Sequence, residues 1–198
     1  GGPAVHRALT GAAGAPLATR WLVADPFAGE IFLGSAKLAF QKVSVASMLK
    51  DFLDPPKDGA ETDGILSMHH EGRMVRIPVR ENVGKKVPLG NNGIQVEITS
   101  YWPDARPDAS ARFSTASNKP NNPLLELKVY LPGKDKALRQ IAFAKHPLLS
   151  LDGIHGGECP VKFWYHHPAV ALEACTQFLQ TPDGKLNYRV VADGKVLA

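Results

Sequence analysis

The side chains best suited to metal binding or catalysis are concentrated in the last third of the chain. In chain order they are His155, Glu158, Cys159, His166, His167 and Cys175. Zinc or copper requires three or four such donors that converge at about 2.0 to 2.3 Å. The spacing from His155 to Cys159 matches no standard ligand motif, and the adjacent His166 and His167 would point to opposite faces of a strand. Two interpretations stay open. In one the histidines lie on the surface and the cysteines form a structural pair. In the other a metal ion is bound, and its candidate ligands are His155, Glu158, Cys159 and His166.

The two cysteines, Cys159 and Cys175, leave two alternatives open. In an oxidising compartment a disulfide between them would stabilise the fold by about 3 kcal/mol, because it closes a loop of moderate length. In a reducing compartment they would be two thiols in the core. The sequence contains neither a Cys-x-x-Cys pair nor a Cys-x-x-Cys-His motif, which excludes a thiol reductant and a c-type cytochrome.

A second candidate site lies in residues 102 to 122, a long loop rich in Pro, Asp, Ser and Asn. Its aromatic and basic side chains could form a surface that stacks rings and binds phosphate. These side chains are Trp102, Arg106, Arg112 and Phe113. Asp104 and Asp108 are interleaved with them and would repel phosphate. The favoured interpretation is a loop held in place by Arg–Asp pairs, with an aromatic ring lying over a sheet. A haem pocket beneath the loop is a third hypothesis.

Motifs for nucleophilic catalysis and for phosphate binding are missing from the sequence. It has no Gly-x-Ser-x-Gly elbow and no glycine-rich phosphate loop. His69 and His70 lie beside Glu71 at a predicted hairpin turn, which favours exposed imidazoles over a binding site. These observations favour a protein that is not an enzyme.

Alternating apolar and polar residues predict the elements that position these side chains. Residues 94 to 99, 125 to 131 and 140 to 144 each alternate, which predicts three consecutive strands at the centre of an antiparallel sheet. One helix is predicted near residues 45 to 53, ahead of Asp54-Pro55-Pro56. The expected fold class is mainly β, an antiparallel β-sandwich or distorted barrel with one or two short helices. The side chains predicted to be buried are Ile94, Val96, Ile98, Leu125, Leu127, Val129, Ile141, Phe143, Phe163, Tyr188 and Val190.

Composition predicts the domain organisation. Residues 1 to 19 are rich in Gly, Ala and Pro, which predicts an irregular N-terminal arm. Residues 20 to 198 are predicted to form a single mainly-β domain, with a candidate sub-boundary near residues 80 to 92. At 198 residues, 44% of them hydrophobic, the chain is long enough for one substantial core or two small ones.

The net charge of +4 arises from scattered Lys and Arg residues. Their longest run is Lys85-Lys86, which favours a solvated basic surface over a nucleic-acid partner. No apolar run approaches the roughly 20 residues that a membrane helix needs. The chain begins Gly1-Gly2-Pro3 without an initiator Met, which is typical of a processed chain. The sequence therefore leaves open whether a targeting or membrane segment has been excised.

Short motifs in the second half of the chain point to a family. Tyr101 to Ala105, Asn122-Pro123, Ile141 to Pro147 and Thr181 to Leu186 occur in that order. In these motifs residues 87 to 190 resemble the β-rich extracytoplasmic portions of membrane-anchored proteins related to the ResB-like components of cytochrome c maturation. The resemblance implies a periplasmic domain, tethered by helices outside this chain, that is a scaffold for haem or apocytochrome handling. The family's haem-linked histidines belong to its membrane segments, so none is assigned here.

Two function classes follow. The first is a non-catalytic extracytoplasmic interaction or scaffold module of a membrane-anchored bacterial protein, linked to cytochrome c maturation, with protein partners in the cell envelope and no cofactor. The alternative is a metal-dependent enzyme, a hydrolase, that uses zinc in the cluster from His155 to His167.

Overall fold

The computed structural model describes residues 4–10, 16–23, 29–33, 36–56, 63–109, 112–147, 159–172 and 174–197. These residues are mainly β, with several antiparallel sheets, two short α-helices and no closed barrel among them. The predicted fold class is therefore confirmed.

The described residues form sixteen strands and three short helical segments. The strands are β1 Ala4–Thr10, β2 Pro16–Val23, β3 Gly29–Leu33, β4 Ala36–Lys42, β5 Ile65–His70, β6 Arg73–Pro78, β7 Lys86–Pro88, β8 Gln95–Trp102, β9 Ala105–Pro107, β10 Phe113–Thr115, β11 Leu124–Tyr130, β12 Leu138–Phe143, β13 Lys162–His166, β14 Cys175–Gln180, β15 Leu186–Ala192 and β16 Lys195–Val196. A 3-10 turn, Ala46–Met48, leads into helix α1, Leu49–Leu53, and helix α2 is Val79–Asn82. The predicted helix near residues 45 to 53 is confirmed.

The chain divides into two compact units. We call Gly1–Leu53 with Leu172–Ala198 the terminal unit, and Asp54–Ala171 the central unit. The central unit is thus inserted between α1 and β14. The sequence predicted one domain with a sub-boundary near residues 80 to 92. In the structure this range contains α2 and β7 and lies inside the central unit, so the two units do not divide there. Local patterns carry no signal that the chain returns to complete a sheet it began before residue 54.

The terminal unit contains a five-stranded sheet in the order β16-β15-β14-β4-β3. Strands β14 and β4 pair in parallel, and the other neighbours are antiparallel. Parallel neighbours need a long crossover, which here contains the whole central unit.

Strands β1 and β2 of the terminal unit form a separate antiparallel pair. The sequence predicted an irregular arm for residues 1 to 19. The structure instead has β1 and the beginning of β2 in this range. The segment is rich in Ala and Gly, and without large apolar side chains at every second position it lacks the alternation that predicts a strand.

Both faces of the five-stranded sheet carry buried side chains. Phe40 and Phe178 are neighbours across β4 and β14 on one face. On the other face the guanidinium of Arg189 lies 4.4 Å from the ring centroid of Phe52 in α1. Its Nη1 also donates a hydrogen bond of 2.5 Å to the backbone oxygen of Phe52. Burial lowers the pKa of Arg189 to about 10, so the group stays charged at neutral pH. This charge helps to hold α1 against the sheet.

The core of the central unit lies between two sheets. One has the strand order β12-β11-β8-β7 and the other the order β13-β5-β6. Val96, Ile98 and Leu127 of the first form one buried cluster with Leu66 and Met68 of the second. The two sheets therefore pack face to face as a small antiparallel sandwich.

Most side chains that the sequence predicted to be buried are buried, namely Ile94, Val96, Ile98, Leu125, Leu127, Val129, Ile141 and Phe163. Phe143 and Val190 are half-buried. The prediction was wrong for Tyr188, whose exposed fraction is 58%. Alternation shows which residues share a face of a strand but not which face is buried. On β15 the buried face carries Arg189 and Val191, and Tyr188 points to the other side.

Candidate functional site

Two of the four candidate metal ligands, His155 and Glu158, lie outside the described residues. Of the other two, Cys159 is buried, and His166 stacks on the ring of Trp164 with centroids 5.8 Å apart. Within the described ranges no three His, Cys, Asp or Glu side chains are grouped so that they could hold a metal ion. The described residues therefore do not assemble the predicted zinc site.

The cysteine pair is the second sequence prediction with a structural outcome. Cys159 and Cys175 are both described and both buried, and no disulfide joins them. Cys159 belongs to the central unit and Cys175 to the terminal unit. The structure agrees with the second of the two alternatives, in which both cysteines are thiols in the core.

The histidine pair predicted to be exposed at the β5–β6 turn is buried instead. The exposed fraction is 0% for His69 and 9% for His70. Both residues still belong to β5, and the turn itself is made by Glu71 and Gly72, which have φ of +47° and +75°. The Nδ1 atom of His70 donates a hydrogen bond of 3.1 Å to the backbone oxygen of Pro160. Pro160 and Lys162 lie beside this end of β5 and help to cover the two imidazoles.

The aromatic and basic loop packs against the four-stranded sheet. The Nε1 atom of Trp102 donates to Glu126 at 3.0 Å, and Phe113 meets Phe143 edge to face with centroids 6.1 Å apart. The described part of the loop contributes Ala105 to a small buried cluster with Leu124 and Ile141. These contacts agree with the favoured interpretation of a loop laid over a sheet.

Asp104 anchors this loop. Its Oδ2 atom accepts hydrogen bonds from Ser117 at 3.0 Å and from Asn121 at 3.2 Å, and its Oδ1 lies 3.7 Å from the guanidinium of Arg106. The hydrogen bond from Asn121 is the main cause of a lowered pKa for Asp104, and burial opposes it. A second aspartate of the loop, Asp108, accepts the backbone N–H of residue 112 at 2.9 Å. The acidic residues thus hold the loop's own backbone and basic side chains.

A polar network in the central unit joins residues that are far apart in the sequence. The hydroxyl of Tyr101 lies 3.2 Å from Nε2 of His167, and the two rings stack with centroids 6.2 Å apart. The ring of Tyr165 contacts the same imidazole edge to face. Its hydroxyl donates a hydrogen bond of 2.6 Å to the backbone oxygen of Asp63. The carboxylate of Asp63 accepts two hydrogen bonds of 3.0 Å from Arg80. We call these five residues the Tyr–His network.

Backbone groups at the two ends of this network fix where its protons lie. The N–H of Ala169 donates to Nδ1 of His167 at 3.1 Å, so the neutral imidazole carries its proton on Nε2 and donates to Tyr101. At the other end the carbonyl of Asp63 can only accept, and it takes the single proton of Tyr165. The network therefore contains a hydrogen bond from His167 to Tyr101 and another from Tyr165 to the backbone of Asp63.

Burial keeps the three rings of the network neutral at neutral pH. Burial, followed by the charge of Asp63, raises the pKa of Tyr101 to about 12. Burial is also the main cause of a raised pKa for Tyr165 and of a lowered pKa for His167. Such groups serve as hydrogen-bond donors and acceptors within the fold, because a phenol with a raised pKa does not supply a nucleophilic phenolate at neutral pH.

Gly64 lets the backbone reach the network. Its φ is +95°, and a Cβ there would overlap the backbone oxygen of His166 and lie 2.8 Å from a ring carbon of Tyr165. Only glycine combines this φ with so little space. The Asp63-Gly64 pair is typical of a turn, and it is the only local sequence signal for the network. The rest was missed because Tyr101 and Tyr165 lie on strands of different sheets.

Strand β15 carries an exposed row of apolar side chains on one face. The exposed fraction is 46% for Leu186, 58% for Tyr188 and 66% for Leu197, which follows β16. Val190 is half-buried, and its backbone oxygen accepts the N–H of Leu197 at 2.9 Å. We call these four residues the apolar row. The ring of Tyr188 also contacts the buried ring of Phe178 on β14, with centroids 6.4 Å apart.

The described helices include none that is long and apolar enough to cross a membrane. No protein-family model, no curated protein and no solved structure matches this chain.

Proposed function

We propose that this chain is a non-catalytic extracytoplasmic interaction or scaffold module of a membrane-anchored bacterial protein, and that the apolar row binds a protein partner. The observation that carries the proposal is the exposure of Leu186, Tyr188 and Leu197 together at one edge of a sheet. Burying a large apolar side chain contributes about 1.5–3 kcal/mol, so leaving several of them in water side by side is typical of a surface that a partner covers.

Lysines frame the apolar row and indicate the chemistry of the partner. Lys42 lies opposite Gln180, which in turn lies opposite Leu186, so all three side chains share one face of the sheet. Lys195 lies opposite Ala192 and is exposed at the other end of the same face. An apolar surface between two lysines fits a partner segment that is itself apolar and carries acidic residues.

The side chains that could do chemistry support the same proposal. Asp104 holds the loop of residues 102 to 122, and Tyr101, Tyr165 and His167 bind one another and the backbone. Groups engaged in this way hold the central unit together, which fits a structural role for them.

The extracytoplasmic location and the partner class rest on the resemblance of residues 87 to 190 to ResB-like proteins. On this proposal the partner is an envelope protein that handles haem or apocytochrome. The membrane enters only through segments outside this chain.

Photo-cross-linking in intact cells tests the proposal. A photoreactive phenylalanine analogue replaces Tyr188 in the full-length protein, and irradiation captures whatever covers the row. Lys134, in an exposed turn of the central unit, is the control position. We expect an adduct with an envelope protein from position 188 and none from position 134. Equal yields from both positions, no adduct from position 188, or an adduct only between two copies of this chain would each overturn the proposal.

Elemental analysis separates this proposal from the metal-dependent hydrolase. The enzyme alternative requires stoichiometric zinc or copper in the gently purified protein, and loss of that metal in His155→Ala and His166→Ala variants. The interaction module requires neither bound metal in the purified protein nor a change of metal content in these variants.

A further inference from the structure

We propose that Asn92 is a site of spontaneous deamidation, at which the backbone nitrogen of Gly93 displaces ammonia from the asparagine side chain. The product is a mixture of aspartate and isoaspartate at position 92. This covalent modification is independent of the interaction surface on β15.

Asn92 lies in the connection between β7 and β8. This turn is closed by a hydrogen bond of 2.9 Å from the N–H of Leu89 to the backbone oxygen of Ile94. Asn92 and Gly93 are both exposed at its tip. Water and base therefore reach the peptide bond between them, which the reaction requires.

The conformation of the turn places the side-chain carbonyl of Asn92 close to the attacking nitrogen. Its Oδ1 atom accepts the backbone N–H of Ile94 at 3.3 Å, which folds the side chain back over the peptide of Gly93. The same hydrogen bond polarises the carbonyl at the oxygen where negative charge develops during attack. Gly93 has a φ of +77° and no side chain to block the approach.

The reaction balances with water as its only co-reactant. The Gly93 peptide nitrogen loses its proton to solvent base and forms a bond to Cγ of Asn92. The bond from Cγ to Nδ2 breaks, and the nitrogen takes up a proton from solvent and leaves as ammonia. Water then opens the five-membered succinimide at either carbonyl, which gives aspartate or isoaspartate.

Other asparagines in the chain are built-in controls. Asn92 is the only asparagine followed by glycine. Asn122 precedes Pro123, whose nitrogen has no proton to lose, and the Nδ2 atom of Asn82 donates to the backbone oxygen of Pro78 at 2.7 Å. We therefore expect modification at one position in the folded protein.

Isoaspartate would disturb the turn, because it adds one atom to the main chain. A Cβ on Gly93 would already lie 3.1 Å from the ring of Pro132, so the turn has little room to bulge on that side. The change should weaken the pairing of β7 with β8, where Val87 lies opposite Val96.

The test is to incubate the whole folded protein in mildly alkaline buffer at physiological temperature and to map its peptides by mass spectrometry. We expect the replacement of the side-chain NH2 by OH at position 92, with isoaspartate as the main isomer. The Asn92→Gln variant should release ammonia on the order of tenfold more slowly, because its longer side chain loses the oriented five-membered ring closure.

A urea-unfolded sample of the same protein tests the contribution of the turn. The proposal expects the folded chain to react at least as fast as the unfolded chain. An unmodified Asn92 in the folded protein, faster deamidation at another asparagine, or a rate that rises on unfolding would overturn it.

Discussion

Tyr165 and Arg189 show what polar side chains do in this fold at the scale of single residues. Each donates to a backbone oxygen far away in the sequence, Tyr165 to Asp63 and Arg189 to Phe52. A buried polar group left without such a partner costs about 1–3 kcal/mol, so these bonds matter for stability. Their partners are set by tertiary packing, which is why the sequence identified the residue types but not their roles.

Tyr165→Phe should lower the free energy of unfolding by about 1–3 kcal/mol, because the backbone oxygen of Asp63 loses its buried donor. Urea denaturation measures this change. Tyr188→Phe is the matched control, since it removes the same hydroxyl from a ring that is 58% exposed, and it should leave stability nearly unchanged. Equal effects of the two substitutions would contradict the role of Tyr165.

His167 should make the stability of the fold depend on pH. Burial lowers its pKa in the folded state below the ordinary value of 6.5, so the unfolded chain binds the proton more readily. Its contribution is therefore present above pH 6.5 and is lost as the pH falls through the lowered pKa of the folded state. Protonation of Nδ1 would also displace the N–H of Ala169.

The measurement for His167 is the urea midpoint, followed from mildly alkaline to acidic pH. His167→Gln should flatten the acid side of this profile, because it removes the titrating group. His146→Gln, which changes an exposed imidazole, is the control and should keep the wild-type profile. If the two variants behave alike, His167 is not the group responsible.

At the scale of elements, the pattern of the sequence predicted the strands well and their buried faces less well. Strands β8 and β11 could be predicted because each buries one face of large apolar side chains, whereas β12 buries Gln140, Ile141 and Ala142 in succession. The Ala-rich β1 gave no such signal. On β15 the alternation was correct, yet the face that carries Arg189 is the buried one. Alternation groups the residues of a strand by face, but it does not show which of the two faces packs against another layer.

Asp104→Asn should loosen the loop of residues 102 to 122. The amide keeps the size of the carboxylate but loses its charge and presents a donor to Asn121 in place of an acceptor. Faster proteolysis within the loop measures the effect, and Asp135→Asn in an exposed turn is the control.

Because the pKa of Asp104 is lowered, the anchor holds above the ordinary aspartate pKa and weakens as the pH falls through its lowered folded-state value. Unchanged proteolysis of the loop in Asp104→Asn would contradict the anchoring role.

At the scale of the whole molecule, the main feature is the insertion of the central unit into the terminal unit. The sequence predicted a single domain because each strand is a local signal, whereas the parallel pairing of β4 with β14 spans the entire insertion. The Tyr–His network was missed for the same reason, since it joins residues 63, 101 and 165. A single sequence does not encode such distances in any local pattern.

The central unit should fold without the rest of the chain. Residues 54 to 171 contain both sheets of the sandwich and its buried cluster, so this fragment should unfold in one cooperative transition. A fragment of residues 54 to 130 is the control, because it lacks β12 and β13 and should not fold. Residues 1 to 53 alone should not fold either, since they lack three of the five strands of their sheet. A fragment 54 to 171 without a cooperative transition would contradict the division into units.

The central claim is that the apolar row binds a partner, while the polar residues hold the fold together. The most direct measurement combines photo-cross-linking from position 188 with urea denaturation in a Leu186→Lys, Leu197→Lys double variant. The account predicts that the adduct disappears while the free energy of unfolding stays close to that of the parent, because Leu186 is already about half exposed and Leu197 mostly exposed. An adduct that persists in a fully folded double variant, or a marked loss of stability with it, would contradict the claim.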